Sequence, residues 1–128
     1  MNRLTPDEKF SRKQKGAAAE EAAAQYLSAI GYEILERNWR CRSGEIDIIA
    51  EEQGRLVFVE VRSRNTRLVQ GTPEESVNTR KIQQVRSVAE IYLYMRRHYD
   101  GSPSFDVISV ILNNDLSVAS LNHIKEAF

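Results

Sequence analysis

The chain has 128 residues, 41% of them hydrophobic and 28% charged, which is enough for one domain with a real core and too short for two. Lys+Arg and Asp+Glu number 18 each, so no overall basic charge argues for indiscriminate nucleic-acid binding, although charge segregated by face can still serve such a partner. The single cysteine, Cys41, excludes an internal disulfide framework or a Cys-rich zinc site. The sequence also shows neither an apolar run of membrane-spanning length nor a signal peptide, which predicts a cytoplasmic protein with no membrane contact.

Residues 1–15 are polar and charged, with Pro6 early, and are expected to form a flexible N-terminal arm ahead of a single domain at 16–128. Gly16 to Ile30, GAAAEEAAAQYLSAI, predicts an alanine-rich helix ended by Gly31. Its stripe Gly16, Ala19, Ala23, Leu27 and Ile30 is small enough to lie close against a sheet. Glu20 falls beside that stripe, whereas Glu21 points toward Ala18, Gln25 and Ser28, so Glu20 is the acid placed to look inward. Tyr32 to Cys41, YEILERNWRC, predicts a first strand in which Trp39 packs and Arg37, Arg40 and Arg42 form a basic cluster.

The stretch from Gly44 to Arg64, GEIDIIAEEQGRLVFVEVRSR, has period-2 alternation, β-branched residues and a Gly at its middle, the signature of a hairpin. Apolar residues on both faces predict a central, two-sided sheet. With Gln53-Gly54 as the loop, Glu52 pairs with Arg55, Asp47 lies across from Glu60, and Glu45 lies across from Arg62. Directly opposed side chains have β-carbons roughly 4.5–5.5 Å apart, and two carboxylates so placed repel unless a cation stands between them. By strict alternation Ile46, Ile48 and Ala50 share one face, and Glu45 and Asp47 the other.

Asn65 to Gly71 predicts a loop, and Thr72-Pro73-Glu74-Glu75 a capped helix start. The helical stripe Ile82, Val85, Ala89, Tyr92, Leu93 and Arg96 follows within Arg80 to His98, with Lys81 near its start facing the acids. Phe105 to Leu112 and Leu116 to Leu121 predict two further strands, and His123 to Phe128 a tail. The order αβββαββ gives an α/β fold, a central mixed five-stranded sheet flanked by helices. His98 and His123 have no serine or cysteine placed to act with them, and no Gly-rich phosphate loop or small-molecule cofactor motif is present.

Asp47 and Glu60, with Glu20 and Glu45 nearby, are hard oxygen donors suited to Mg2+ or Mn2+ rather than zinc. Arginines beside them suit phosphate backbone contacts. A structural ion network, Glu45 with Arg62 and Glu60 with a neighbouring arginine, explains the same charges equally well from pattern alone. The segment Asp47…Glu60-Val61-Arg62 resembles the D…E-x-K motif of the restriction-endonuclease-like, PD-(D/E)xK, nuclease superfamily. More closely, GAAAEEAAAQYL, GYEILERNWR, GEIDIIA, LVFVEVRSR, the Lys81 helix and FDVISV resemble the YraN family of bacterial proteins. That family is similar to Holliday-junction resolvases, so the resemblance implies a metal-dependent DNA endonuclease of branched or damaged DNA, with DNA and a second copy of the chain as partners. Carried over, Asp47 and Glu60 are metal ligands and catalytic residues, Glu45 is an accessory metal ligand, and Glu20 matches the first-helix acid. Arg62 stands where the superfamily has lysine; it keeps the charge but cannot deprotonate. Lys81 is the candidate amine in its place, and Arg37, Arg40, Arg64 and Lys81 are candidate nucleic-acid contacts. The alternative is a lapsed nuclease-like fold that binds DNA or protein without cutting.

Overall fold

The computed structural model describes residues 10–66, 79–96 and 101–128. The first nine residues, the expected helix start at Thr72-Pro73, Arg67 and His98 lie outside them. The element order is α1 (Arg12–Ala29), β1 (Glu33–Cys41), β2 (Gly44–Glu52), β3 (Arg55–Asn65), α2 (Thr79–Arg96), β4 (Ser104–Leu112) and β5 (Val118–Ile124). This is the αβββαββ order read from the sequence. The five strands lie in chain order in one sheet, with β3 and β4 parallel and every other pair antiparallel. The single parallel pair follows from the α2 crossover, since a parallel connection needs a long excursion.

α1 begins at Arg12 rather than Gly16, so the last four residues of the expected arm are helical. The cause is a capping box. Ser11 Oγ accepts from the Gln14 N–H at 3.1 Å, and the Ser11 N–H donates to Gln14 Oε1 at 2.8 Å. The helix buries Ala19, Ala23, Ala24 and Leu27 on one sheet face, against Ile48, Ala50, Val57, Val59, Ile108, Val110 and Leu112. Ile30, expected on that stripe, is instead exposed as the C-cap. α2 covers the other face with Val85, Val88, Ala89 and Tyr92, against Ile46, Ile49, Leu56, Phe58 and Phe105. Tyr92 presents its edge to Trp39 at 5.1 Å and to Phe58 at 6.0 Å between ring centroids, and Phe58 stacks on Phe105 at 5.5 Å. Arg96, read as part of the apolar stripe, is exposed and pairs with Glu36 at 2.8 Å.

β5 is shifted along the chain relative to the expected Leu116–Leu121. The Asn113–Ser117 turn, closed by the Asn113 N–H on Ser117 O at 2.8 Å, takes up its first residues, and Asp115 Oδ1 accepts from the Ser117 N–H at 2.9 Å. His123, expected in the tail, is therefore inside the strand and opposite Ile108. No helix of the described residues is long and apolar enough to cross a membrane.

Candidate functional site

The β2–β3 hairpin turns on Gln53 (φ 51°) and Gly54 (φ 82°), two left-handed residues of the kind that match the twist of antiparallel strands. Glu52 pairs with Arg55 as the two-residue loop requires, and the register holds as far as Ile48 opposite Val59. There the ladder stops. The next expected rungs, Asp47 with Glu60 and Glu45 with Arg62, are not strand pairs. Instead the Asp47 carboxylate takes up the backbone, accepting the Val61 N–H on Oδ2 at 2.9 Å. The two strands fork, and Asp47 stands in the gap.

The same point breaks the alternation of side chains. Ile48 and Ala50 pack on the α1 face, but Ile46 packs with Ile49 on the α2 face. Two residues that should share a face are on opposite faces, so strict alternation fails at Asp47, and the expected common face of Ile46, Ile48 and Ala50 is corrected. β1 shows a matching slip. Arg37, opposite Ile48, reaches Glu21 of α1, while Trp39, opposite Ile46, packs on Tyr92 of α2. Between them lies Asn38, with φ 52°.

The fork collects acids from both faces. Glu60 is 5% exposed and comes from the α2 side. Its carboxyl is pushed up to about 8, chiefly by burial, then by hydrogen bonding and like charge from Asp47; Lys81 and Arg62 pull the other way without prevailing. Lys81 Nζ stands 3.3 Å from Glu60 Oε2 as an ion pair. Even so, Oε2 has no hydrogen-bond partner among the described residues, and neither does the buried Nε of Arg62. Glu20, half-buried on α1, is raised by burial and then by the charge of Asp47, with Glu45 adding to it; a hydrogen bond from the Asn38 side chain and the charge of Arg37 oppose the rise. Glu21 is exposed and bound to Arg37 at 2.9 Å, so Glu20 is the inward acid of the two, as the helical spacing predicted.

The other expected site residues divide. Glu45 pairs with Arg40 at 2.8 Å, across the β1–β2 ladder, rather than with Arg62. Arg40, Glu45, Lys81 and Gln84 line one shallow depression beside the fork. Arg37 is engaged with Glu21 on the α1 face. Arg64 is farther along β3 and lines a separate pocket with Lys15, Asn65 and Asn114. Among the described residues no group of three or more acidic, histidine or cysteine side chains is close enough together to hold a metal ion. The arrangement is thus an acidic pair, Asp47 and Glu60, with Glu20 adjoining and two cationic side chains against it.

Two features escaped the sequence. One is Asn38. The other is a buried polar chain on the α1 face. His123 Nε2 is 2.7 Å from Asp106 Oδ2, and its Nδ1 is 3.0 Å from Tyr26 Oη. Ser104 Oγ and the Glu126 N–H donate to the other oxygen of Asp106. The hydrogen bonds of His123, Ser104 and Glu126 outweigh burial and hold the Asp106 carboxyl below its usual range. The only hint was an acid inside the apolar run FDVISVIL.

The profile described as "Uncharacterised protein family UPF0102" matches residues 19–110. Similar proteins carry the same description. One from Desulforamulus reducens is 48% identical over 120 residues, covering 92% of this chain and 98% of the relative. One from Caldanaerobacter subterraneus is 42% identical, covering 94% and 98%, and one from Moorella thermoacetica is 45% identical, covering 93% and 98%. Among solved structures, a chain of the EndoMS–dsDNA2 complex aligns at a TM-score of 0.41 with 13% identity, over 86% of this chain and 40% of that one.

Proposed function

The chain belongs to the uncharacterised protein family UPF0102, and we propose that it is a metal-dependent endonuclease acting on the phosphodiester backbone of DNA. The observation that carries the reading is the buried Glu60 carboxyl beside a second carboxylate: Oε2 has the Lys81 ammonium at 3.3 Å but no hydrogen bond among the described residues, and the carboxyl is still pushed up to about 8. Burying one carboxylate against another is costly even with one ammonium beside them. A divalent cation bound by Asp47 and Glu60 satisfies both carboxylates, and their hard oxygens suit Mg2+ or Mn2+. When bound, it supplies Lewis-acid stabilisation of a phosphoryl group and a more acidic water.

The chain's own residues supply the rest. Asp47, fixed by the Val61 N–H, is held in one orientation. Lys81, on the rim at Glu60, is placed to meet negative charge on a phosphate oxygen once Glu60 is engaged elsewhere. Arg62 holds positive charge at the same carboxylate but not a transferable proton. Arg40 and Lys81 share one depression, and that surface is the approach assigned to the DNA backbone. Glu20 is the acid in reserve on the α1 side.

The second reading is a non-catalytic binding module. It is favoured by the ammonium of Lys81 already lying against Glu60, and by Arg62 in the lysine position. The deciding assay is cleavage of linear, flapped and four-way-junction DNA with Mg2+ or Mn2+, using wild type, Asp47→Ala and Arg62→Lys. The endonuclease reading expects cutting by wild type that Asp47→Ala lowers by at least ~100-fold. Cutting by Arg62→Lys alone supports the binding module, and cutting that survives Asp47→Ala removes the metal pair from the mechanism.

A further inference from the structure

We propose that Asn38 is the positioning residue of the acidic fork: its left-handed backbone lets β1 and β2 change faces together and so releases Asp47 from the ladder. The argument starts from the faces. In β1, Glu36 bonds to Arg96 of α2 and Arg37 to Glu21 of α1, so regular alternation would return residue 38 to the α2 face. In β2, Ile48 is on the α1 face, so regular alternation would put Asp47 on the α2 face as well. Neither strand continues regularly. Trp39 and Ile46, which pair, both lie on the α2 face, so each strand has gained one step between its partners.

A shared slip needs a residue that can reverse its backbone within a strand. An L-residue at positive φ is disfavoured by contact between Cβ and the backbone, by roughly 1–2 kcal/mol, and Asn tolerates it best after Gly. Asn38, at φ 52°, is the residue of β1 that does so. Its position between Arg37 and Trp39 places it opposite Asp47, which lies between Ile48 and Ile46. The slip frees Asp47 from the ladder, and so it can take the Val61 N–H and influence both Glu60 and Glu20. Glycine supplies the same backbone without a Cβ, and alanine does not.

Hydrogen exchange at the Val61 amide reads the fork directly, because Asp47 holds that N–H. Asn38→Gly is expected to keep Val61 protection within about twofold of wild type, and Asn38→Ala to exchange at least about fivefold faster, the equivalent of the left-handed penalty. Equal exchange in the two variants overturns the backbone role.

Discussion

Glu60→Gln isolates the cost of the fork. The Glu60 carboxyl titrates at about 8 in the fold, against an ordinary 4.5 in an unfolded chain. A folded value above the unfolded one means that the native state holds its proton more tightly. Stability is therefore complete below pH 4.5, falls as pH rises between the two values, and levels off above about 8. Each unit of difference corresponds to ~1.4 kcal/mol, so wild type at pH 7 should be less stable than at pH 4.5 by about 3 kcal/mol from this group alone. Glutamine keeps the shape and cannot ionise. Near pH 4.5 the variant should match wild type, and by pH 7 it should exceed it by ~3 kcal/mol, or roughly 10 °C in melting temperature for a domain of this size. Urea unfolding of both proteins from pH 4.5 to 9, in EDTA, measures the difference directly. Saturating Mn2+ should shrink the gap at pH 7, because a bound cation stabilises only the chain that carries the carboxylate. A difference that stays flat with pH refutes the claim that Glu60 is buried at a cost, and with it the main support for a cation site.

Three other outcomes follow from local geometry. Gly44 has φ 142°, and a β-carbon there would lie 2.9 Å from Gln84 Nε2, the mobile end of a side chain. Gly44→Ala should cost ~1–3 kcal/mol through the backbone, measured by thermal melting, and adding Gln84→Ala should restore little, since Gln84 can move aside. His123→Ala leaves Asp106 buried without its main partner and should destabilise the fold by about 3–5 kcal/mol. His123→Ala with Asp106→Asn should recover part of that loss in urea unfolding, and purely additive losses would count against the network. Lys81→Ala should raise the Glu60 titration point further, seen by carboxyl NMR, because the ammonium 3.3 Å away favours the ionised form.

What was legible in the sequence followed local rules. Gln53-Gly54 announced a two-residue hairpin, and its register held for every rung that formed. Alanine spacing on α1 separated Glu20 from Glu21 correctly, because a helix has one period and no slip. Gly31 stopped the helix where expected, with φ 99°. The failures lie where the period changes or the partner is distant. Strict alternation has no signal for a residue that skips a face, so Ile46 was placed on the wrong side and Asp47 on a rung that does not exist. Glu45 finds Arg40 across β1 rather than Arg62 across β3, because β2 leaves β3 before reaching it. Ser11-x-x-Gln14 was a readable capping box that polarity masked. His123 meets Asp106 and Tyr26 only through the sheet order and α1 packing, which no local pattern encodes.

The fork also explains why a chain with no net charge can carry a site at which charges are concentrated. A regular β2–β3 ladder would have put Asp47 and Glu60 on one face as directly opposed carboxylates, where their repulsion weakens the sheet. Letting the strands part gives Asp47 a backbone donor, but Asp47 still acts on Glu60 from one side and on Glu20 from the other. Cationic side chains then gather from separate elements, Lys81 from α2 and Arg62 from β3, each weakly effective against the burial of Glu60. Such a site is stable enough to persist and too poorly satisfied to be explained as packing alone. That imbalance distinguishes it from the Asp106–His123–Tyr26 chain, where every group on the carboxylate donates to it and the acid's pKa falls instead of rising. Two buried acids on the same sheet therefore have opposite signs of shift. The one that stays raised despite Lys81 and Arg62 is the one whose ion-pair partner, Lys81, lines an open depression with Arg40.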